Sequence, residues 1–228
     1  MEKQGTLYVV ATPIGNLEDV TMRALRIFRE VDYILCEDTR VTGKLLSHYE
    51  IKAKMKRYDA HTSEKIHEEI MTDLAEGKSV ALVSDAGTPG VSDPGVFLVA
   101  KLRKVGGVRI DAVPGASAVT AAFSIAGLAG NQFSFLGFVP HKKGRQTFFQ
   151  ELENYDHPVI FFESTHRIMK TLESLKEVLP EDTKVMVARE ITKLFEEMVS
   201  GNASEVLDYF TTNPDKVRGE YVVLIDLH

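Results

Sequence analysis

Only one cysteine, Cys36, occurs among the 228 residues, so an intramolecular disulfide is impossible. No charged segment followed by an apolar run precedes the first strand-like stretch, which argues against a secretory leader. Together these absences predict a cytoplasmic protein. Cys36 sits beside Glu37 and reads as a small buried residue rather than a nucleophile. Positive charge is not in surplus either: 33 acidic residues face 27 basic ones, for a formal net charge of −6. A general attraction for nucleic acid is therefore not expected, and any such contact must come from a local patch. A G-x-G-x-x-G run is missing, which removes the dinucleotide fingerprint. No P-loop lysine accompanies the glycine-rich segments, which disfavours a nucleoside triphosphate. His48, His61, His67, His141 and His157 show no metal-ligand spacing with cysteine, so no metal is expected. Internal repeats and low-complexity tracts are also lacking.

What is present is the balance of an ordinary globular protein, 44% apolar and 26% charged. One large domain or two smaller ones would fit. The uncharged stretch Ala112 to Pro140 is long enough to cross a bilayer. Pro114, Gly115, Gly127, Gly130 and the pair Asn131-Gln132 break it, so it reads as a buried helix followed by a strand, and no membrane span is expected. Short apolar runs at Leu7 to Ala11, Tyr33 to Cys36, Ser79 to Ser84 and Arg109 to Val113 read as strands. Apolar positions Leu17, Val20, Ala24, Ile27, Phe28 and Val31 predict a helix directly after the first of them, and Glu64 to Glu76 predicts another. In the second half, strands are expected at Phe133 to Val139, Val159 to Phe162, Lys184 to Ala188 and Tyr221 to Leu227. The alternation predicts an α/β protein with two α/β domains, residues 1–115 with a mainly parallel sheet and residues 116–228 with a mixed one, and a ligand cleft between them.

Three glycine-bearing segments follow predicted strands. TPIGN (Thr12 to Asn16) is, by itself, better explained by a tight turn than by a ligand loop. SDAGTPGVSDPG (Ser84 to Gly95) packs three glycines and two prolines into a span that a mere connection would not require. Asp85 and Asp93 are available there as acceptors for hydroxyl or amine groups, with Ser84, Thr88 and Ser92 able to donate or accept. VPGASA (Val113 to Ala118) leads into small residues that let backbone line a pocket, or let helices pack closely. Loops at the carboxyl ends of parallel strands are where α/β proteins place ligands.

In order and placement these segments resemble the cofactor loops of the tetrapyrrole-methylase-like methyltransferases. The resemblance implies S-adenosyl-L-methionine as cofactor, held by Pro13, Ile14, Gly15, Asp85, Ala86, Gly87, Thr88, Ser92, Pro114, Gly115, Ala116 and Ser117. Further strings extend it over nearly the whole chain: YVVATPIGNLEDVTMRAL from Tyr8, CEDTRVTGKLL from Cys36, GFVP from Gly137, ESTHR from Glu163, REITKLFEE from Arg189 and GEYVVLI from Gly219. They are similar to the branch that methylates a cytidine 2′-hydroxyl in the decoding region of 16S ribosomal RNA, so the small ribosomal subunit is the implied partner and a homodimer the implied assembly. The match is incomplete. Members of that branch carry histidine-glutamate-histidine-asparagine where this chain has Asp59, Ala60, His61 and Thr62, so a general-base glutamate does not transfer and only His61 is retained. Thr165 stands where proline is usual, and a helical extension common after the last strand is not found before the chain stops at His228. A tetrapyrrole methyltransferase of the same fold and a non-catalytic ribosome-binding module are the competing readings.

Transfer of a methyl group to a ribose hydroxyl needs in-line positioning, and a proton acceptor helps. Glu37, Asp38, His61, Glu163 and Glu190 are the candidates. Glu37, Asp38 and Arg40 follow a strand directly and form the expected catalytic group. Arg40 is suited to a phosphate, or to a structural ion pair with Asp38 or Glu37. Lys142, Lys143 and Arg145 form a basic cluster suited to phosphate, together with Lys52, Lys54, Lys56 and Arg57. Arg167, Arg189 and Lys193, with His61, complete the expected substrate surface.

Overall fold

In a computed structural model the described residues are 4–92 and 95–227. The chain divides into two compact units, Met1–Ser117 and Ala118–His228.

In the first unit the strands are β1 (Thr6–Val10), β2 (Tyr33–Cys36), β3 (Met55–Arg57), β4 (Ser79–Leu82) and β5 (Arg109–Val113), in sheet order β3-β2-β4-β1-β5. All of the pairings are parallel. Period-two alternation sends successive side chains to opposite faces, and both faces are apolar because both are covered. Val10, Ile34, Cys36, Ala81 and Val113 pack against Ala24, Leu25, Ile27 and Phe28 of α1 (Met22–Glu30) and against Leu45 and Leu46 of α2 (Thr39–His48). Leu7, Tyr33, Leu35, Val80 and Leu82 meet Ile70 and Leu74 of α3 (Glu64–Ala75) and Leu98 and Leu102 of α4 (Val96–Val105). Burial of a side chain such as Phe28 contributes about 1.5–3 kcal/mol.

The first helix departs from expectation. Leu17–Asp19 form a 3-10 turn capped by the Asn16 side chain, and α1 begins only at Met22, where the Thr21 hydroxyl accepts the Ala24 amide. Cap chemistry overrides the longer apolar periodicity. β3 was not anticipated, because its three residues lie inside a lysine-rich stretch.

The second unit holds α5 (Ala118–Ala126), β6 (Ser134–Phe138), α6 (Arg145–Gln150), β7 (Val159–Ser164), α7 (Ile168–Val178), β8 (Lys184–Arg189), β9 (Glu197–Gly201), α8 (Ala203–Thr212) and β10 (Glu220–Asp226). Its sheet runs β6-β7-β10-β8-β9, parallel between β6 and β7 and antiparallel elsewhere. Phe161, Val185, Val187, Tyr221, Val223 and Ile225 form one core with Leu172 and Leu175 of α7 and Val206 and Phe210 of α8. A capping box between Asn202 and Glu205 starts α8. The uncharged stretch gives the nine-residue α5 followed by β6, and α5 is half-buried rather than fully enclosed, with Ile125 49% exposed. Among the described residues no helix is long and apolar enough to cross a membrane.

Candidate functional site

Because β1, β2, β4 and β5 are parallel, the segments after them all emerge at one edge of the first sheet. Backbone hydrogen bonds then join them. Thr12 and Gly87 form an isolated antiparallel bridge, with Thr12 N–H donating to Gly87 O at 2.9 Å and Gly87 N–H to Thr12 O at 3.1 Å. The Thr12 hydroxyl also donates to the Ser84 carbonyl at 3.1 Å. Thr88 Oγ1 donates to the Ala116 carbonyl at 3.3 Å, which brings in the third loop. Asp85 Oδ1 accepts the Asp38 amide at 3.1 Å, which brings in the segment after β2. The loops thus form one continuous rim rather than separate turns.

Glycine is required where the rim is tightest. Gly87 has φ +82°, and a Cβ there would stand 3.3 Å from Ile14 Cγ2. Gly115 would bring a Cβ to 3.0 Å from that of Ala11. Pro13 and Gly87 are buried and Ile14, Thr88, Ala116 and Ser117 half-buried, whereas Gly15, Asp85, Ala86, Ser92, Pro114 and Gly115 are exposed. Ser92 adopts φ 61°, a left-handed conformation uncommon for serine. Asp93 lies outside the described residues. An exposed carboxylate, hydroxyls and bare backbone on a tightly tied rim are the donor set that a nucleoside-like ligand needs.

Asp38 caps α2 by accepting the Arg40 amide at 2.8 Å. The Arg40 guanidinium curls back onto both oxygens, Nε at 3.0 and 3.1 Å and Nη2 at 2.5 Å. This guanidinium, helped by the Arg40 amide, holds the Asp38 carboxyl down at about 2. Arg40 thus makes an ion pair with Asp38, while its side chain is 86% exposed. Glu37 is half-buried at the same strand end.

Several residues expected to meet substrate are occupied in the fold. Arg145 was grouped with Lys142 and Lys143, but the first turn of α6 directs it inward, where it is buried and donates to Thr171 Oγ1 at 2.9 Å. Lys142 and Lys143 remain exposed. Glu163 has a fully buried side chain that pairs with Arg167 at 2.9 Å and Arg145 at 3.7 Å and accepts from Thr171 at 2.6 Å. It is a structural hub, so its candidacy as proton acceptor falls, and Arg167 is bound to it. Arg189 is buried against Glu197 at 3.4 Å. Lys193 bridges Glu190 at 2.9 Å and Glu220 at 2.7 Å. Burial raises the Glu190 carboxyl, but the Lys193 ammonium and the Glu220 amide outweigh it and leave it lowered. Lys56 pairs with Glu69 at 2.7 Å and lies over the Tyr33 ring, while Arg57 pairs with Asp59 at 2.9 Å. His61 is exposed on the turn after β3, its amide bonded to Asp59 Oδ1 at 2.8 Å. Among the described residues no group of three or more histidine, cysteine or acidic side chains is placed to hold a metal ion. The Asp38–Asp85 link escaped sequence reasoning, since nothing local marks a contact between residues so far apart in the chain.

The family model described as Tetrapyrrole (Corrin/Porphyrin) Methylases matches residues 6–207. A protein from Neisseria meningitidis serogroup A named ribosomal RNA small subunit methyltransferase I is 47% identical over 97% of this chain and 76% of its own. Its namesake from Thermotoga maritima is 44% identical over 97% of this chain and 98% of its own. Among solved structures, uroporphyrin-III C-methyltransferase from Thermus thermophilus, complexed with S-adenyl homocysteine, aligns with a TM-score of 0.66 at 19% identity, covering 97% of each chain. That likeness bears on the fold, and the sequence matches bear on descent. The chain belongs to the tetrapyrrole (corrin/porphyrin) methylase family and, within it, to the ribosomal RNA small subunit methyltransferase I group.

Proposed function

We propose that the chain transfers a methyl group from S-adenosyl-L-methionine to the 2′-hydroxyl of a cytidine in the decoding region of 16S ribosomal RNA, acting on the small ribosomal subunit. The observation that carries this reading is the tied rim of β1, β2, β4 and β5 loops, which places Glu37, Asp38 and Arg40 on the same edge as the glycine segments. The identity of 41% to 47% with proteins named ribosomal RNA small subunit methyltransferase I supports small-subunit ribosomal RNA as the substrate.

The rim fits the cofactor. Pro13, Ile14 and Gly15, Asp85 to Thr88 with Ser92, and Pro114 to Ser117 would hold it, with Asp85 accepting from a hydroxyl or amine and bare backbone at Gly87 and Gly115 allowing close approach. Bound S-adenosyl-L-methionine supplies an electrophilic methyl on a sulfonium. The chain supplies position, which is the larger part of such a displacement. Asp38 caps α2 and holds the Arg40 guanidinium, which with the Arg40 amide keeps its carboxyl down at about 2. Its role is to orient Arg40, whose exposed guanidinium exchanges this carboxylate for an RNA phosphate through two parallel bonds. Glu37 is the proton acceptor in this reading. Lys142, Lys143 and His61, exposed in the fold, add phosphate and ribose contacts. The reading includes a cytoplasmic homodimer, which sedimentation would test.

The experiment is incubation with methyl-labelled cofactor and either naked 16S RNA or small subunits lacking the modification. Label in ribose supports the proposal; protein that binds the cofactor and labels neither substrate removes it.

A further inference from the structure

The turn from β8 to β9, residues 190–196, is held in an unusual shape. Two of its first three residues are non-glycine and left-handed, Glu190 at φ 52° and Thr192 at φ 66°. Such a conformation persists only where the surroundings over-determine it. Here they do. Glu190 N–H donates to Glu220 O at 3.1 Å, Lys193 N–H to Glu190 O at 3.0 Å and Glu196 N–H to Lys193 O at 3.1 Å. Thr192 N–H reaches the Glu196 carboxylate at 2.5 Å, and Lys193 ties Glu190 to Glu220. Ile191 anchors the turn in the interior at 8% exposure. The result is that Leu194 and Phe195 project outward, 90% and 58% exposed.

Leu194 contributes almost nothing to the core, and more than half of Phe195 is open to solvent. Beside it lies Arg218, its guanidinium carbon 5.7 Å from the centre of the Phe195 ring. The neighbouring cations are each bound to carboxylates, Arg189 and Lys216 to Glu197 and Lys193 to Glu190 and Glu220. Arg218 makes no ion pair among the described residues. A presented ring next to an uncommitted planar cation is the composition of sites that receive unstacked bases, because every base has a flat π face and brings a phosphate with it.

We infer that Phe195 and Arg218 form a stacking site for an unpaired nucleobase of the RNA substrate, with Arg218 also meeting the adjoining phosphate. This rests on the ribosomal RNA reading above. The turn presents two exposed apolar residues with a cation at their edge, which suits a base better than a protein surface.

The test compares Phe195→Ala, Phe195→Leu, Phe195→Trp and Arg218→Ala in the full chain. Two separate readouts are used: anisotropy titration of a short labelled single-stranded RNA containing cytidine, and steady-state methylation of small subunits lacking the modification. Phe195→Ala and Phe195→Leu are expected to raise the RNA Kd and the KM roughly tenfold, while Phe195→Trp stays within about twofold of the wild type. Arg218→Ala should weaken RNA binding and reduce the slope of log K against log salt by about one. Cofactor affinity should be unchanged in all of them, which guards against misfolding. Equal RNA affinity across the Phe195 variants would overturn the site, as would full rescue by leucine, which marks a generic apolar contact with protein. Wild-type protein that binds RNA through Phe195 but transfers no methyl keeps the site and removes the reaction. Methylation that is indifferent to Phe195 does the reverse, and absence of both RNA binding and methylation removes both.

Discussion

Thr12 and Gly87 exchange both of their backbone hydrogen bonds, at 2.9 and 3.1 Å, although they lie in loops that follow different strands. The bridge is antiparallel and lies outside the parallel ladder of β1 and β4, and it fixes where the first two glycine segments sit. Left-handed backbone at Gly87 is what lets the second loop turn back to make it.

Gly87→Ala should therefore damage the rim. A Cβ at φ +82° is strained, and it would crowd Ile14 Cγ2 at 3.3 Å. The cost is about 1–2 kcal/mol, and if it falls on the ligand-ready conformation the Kd for S-adenosyl-L-methionine rises roughly tenfold. Isothermal titration checks this. An unchanged Kd would show that the bridge does not shape the cofactor site.

Arg40 and Asp38 make a second prediction, concerned with substrate rather than cofactor. Arg40→Ala should lower kcat/KM on small subunits by about a hundredfold and leave the cofactor Kd unchanged. Arg40→Lys should recover little, because an ammonium cannot make two parallel bonds to one phosphate. Full recovery by lysine would reduce Arg40 to a point charge.

Glu163 is expected to matter for stability. Glu163→Ala leaves Arg145 and Arg167 without the carboxylate that joins them, in a site where the Glu163 side chain is fully buried. Loss of one member of a buried ion pair costs about 3–5 kcal/mol, which lowers Tm by roughly 10 °C or more in a chain of this size. Calorimetry on the variant decides it, and a Tm within about 2 °C of the wild type would show the network to be dispensable.

Alkaline stability follows from Tyr221. Burial pushes its phenol up to about 12, while its hydroxyl donates to Lys216 O and Arg218 O, each at 3.1 Å. The unfolded phenol titrates near pH ~10. A raised folded value means that the stabilisation is complete below the unfolded value and is lost as pH rises through about 12. Unfolding free energy should fall over that window, and Tyr221→Phe, slightly less stable at neutral pH, should show a shallower fall. Chemical denaturation at a series of pH values measures both slopes, and parallel slopes would contradict the assignment.

Most of the elements were legible because their signals are local. Runs such as TLYVV and YILC are apolar on both faces, as parallel strands between helix layers must be. Glycine segments directly after them mark one edge of the sheet. β3 and β9 were missed for a shared reason: both are edge strands with mixed polarity, MKR and EMVSG, whose pairing is decided by a neighbour and not by their own pattern. The charged residues were the least legible. Arg145, Arg167, Arg189 and Lys193 read as a substrate surface, yet each meets a carboxylate brought to it by folding, and composition alone cannot tell a free cation from a paired one. The same blindness hid Arg218, which lies against the Phe195 ring and makes no ion pair among the described residues.

The most direct measurement is to methylate small subunits lacking the modification with methyl-labelled S-adenosyl-L-methionine, digest the RNA to nucleosides and identify the labelled one by mass spectrometry. The account expects label in the ribose of 2′-O-methylcytidine from the decoding region, abolished together with cofactor binding in a rim variant. Label on a base, or none on RNA from a protein that binds the cofactor, would contradict it.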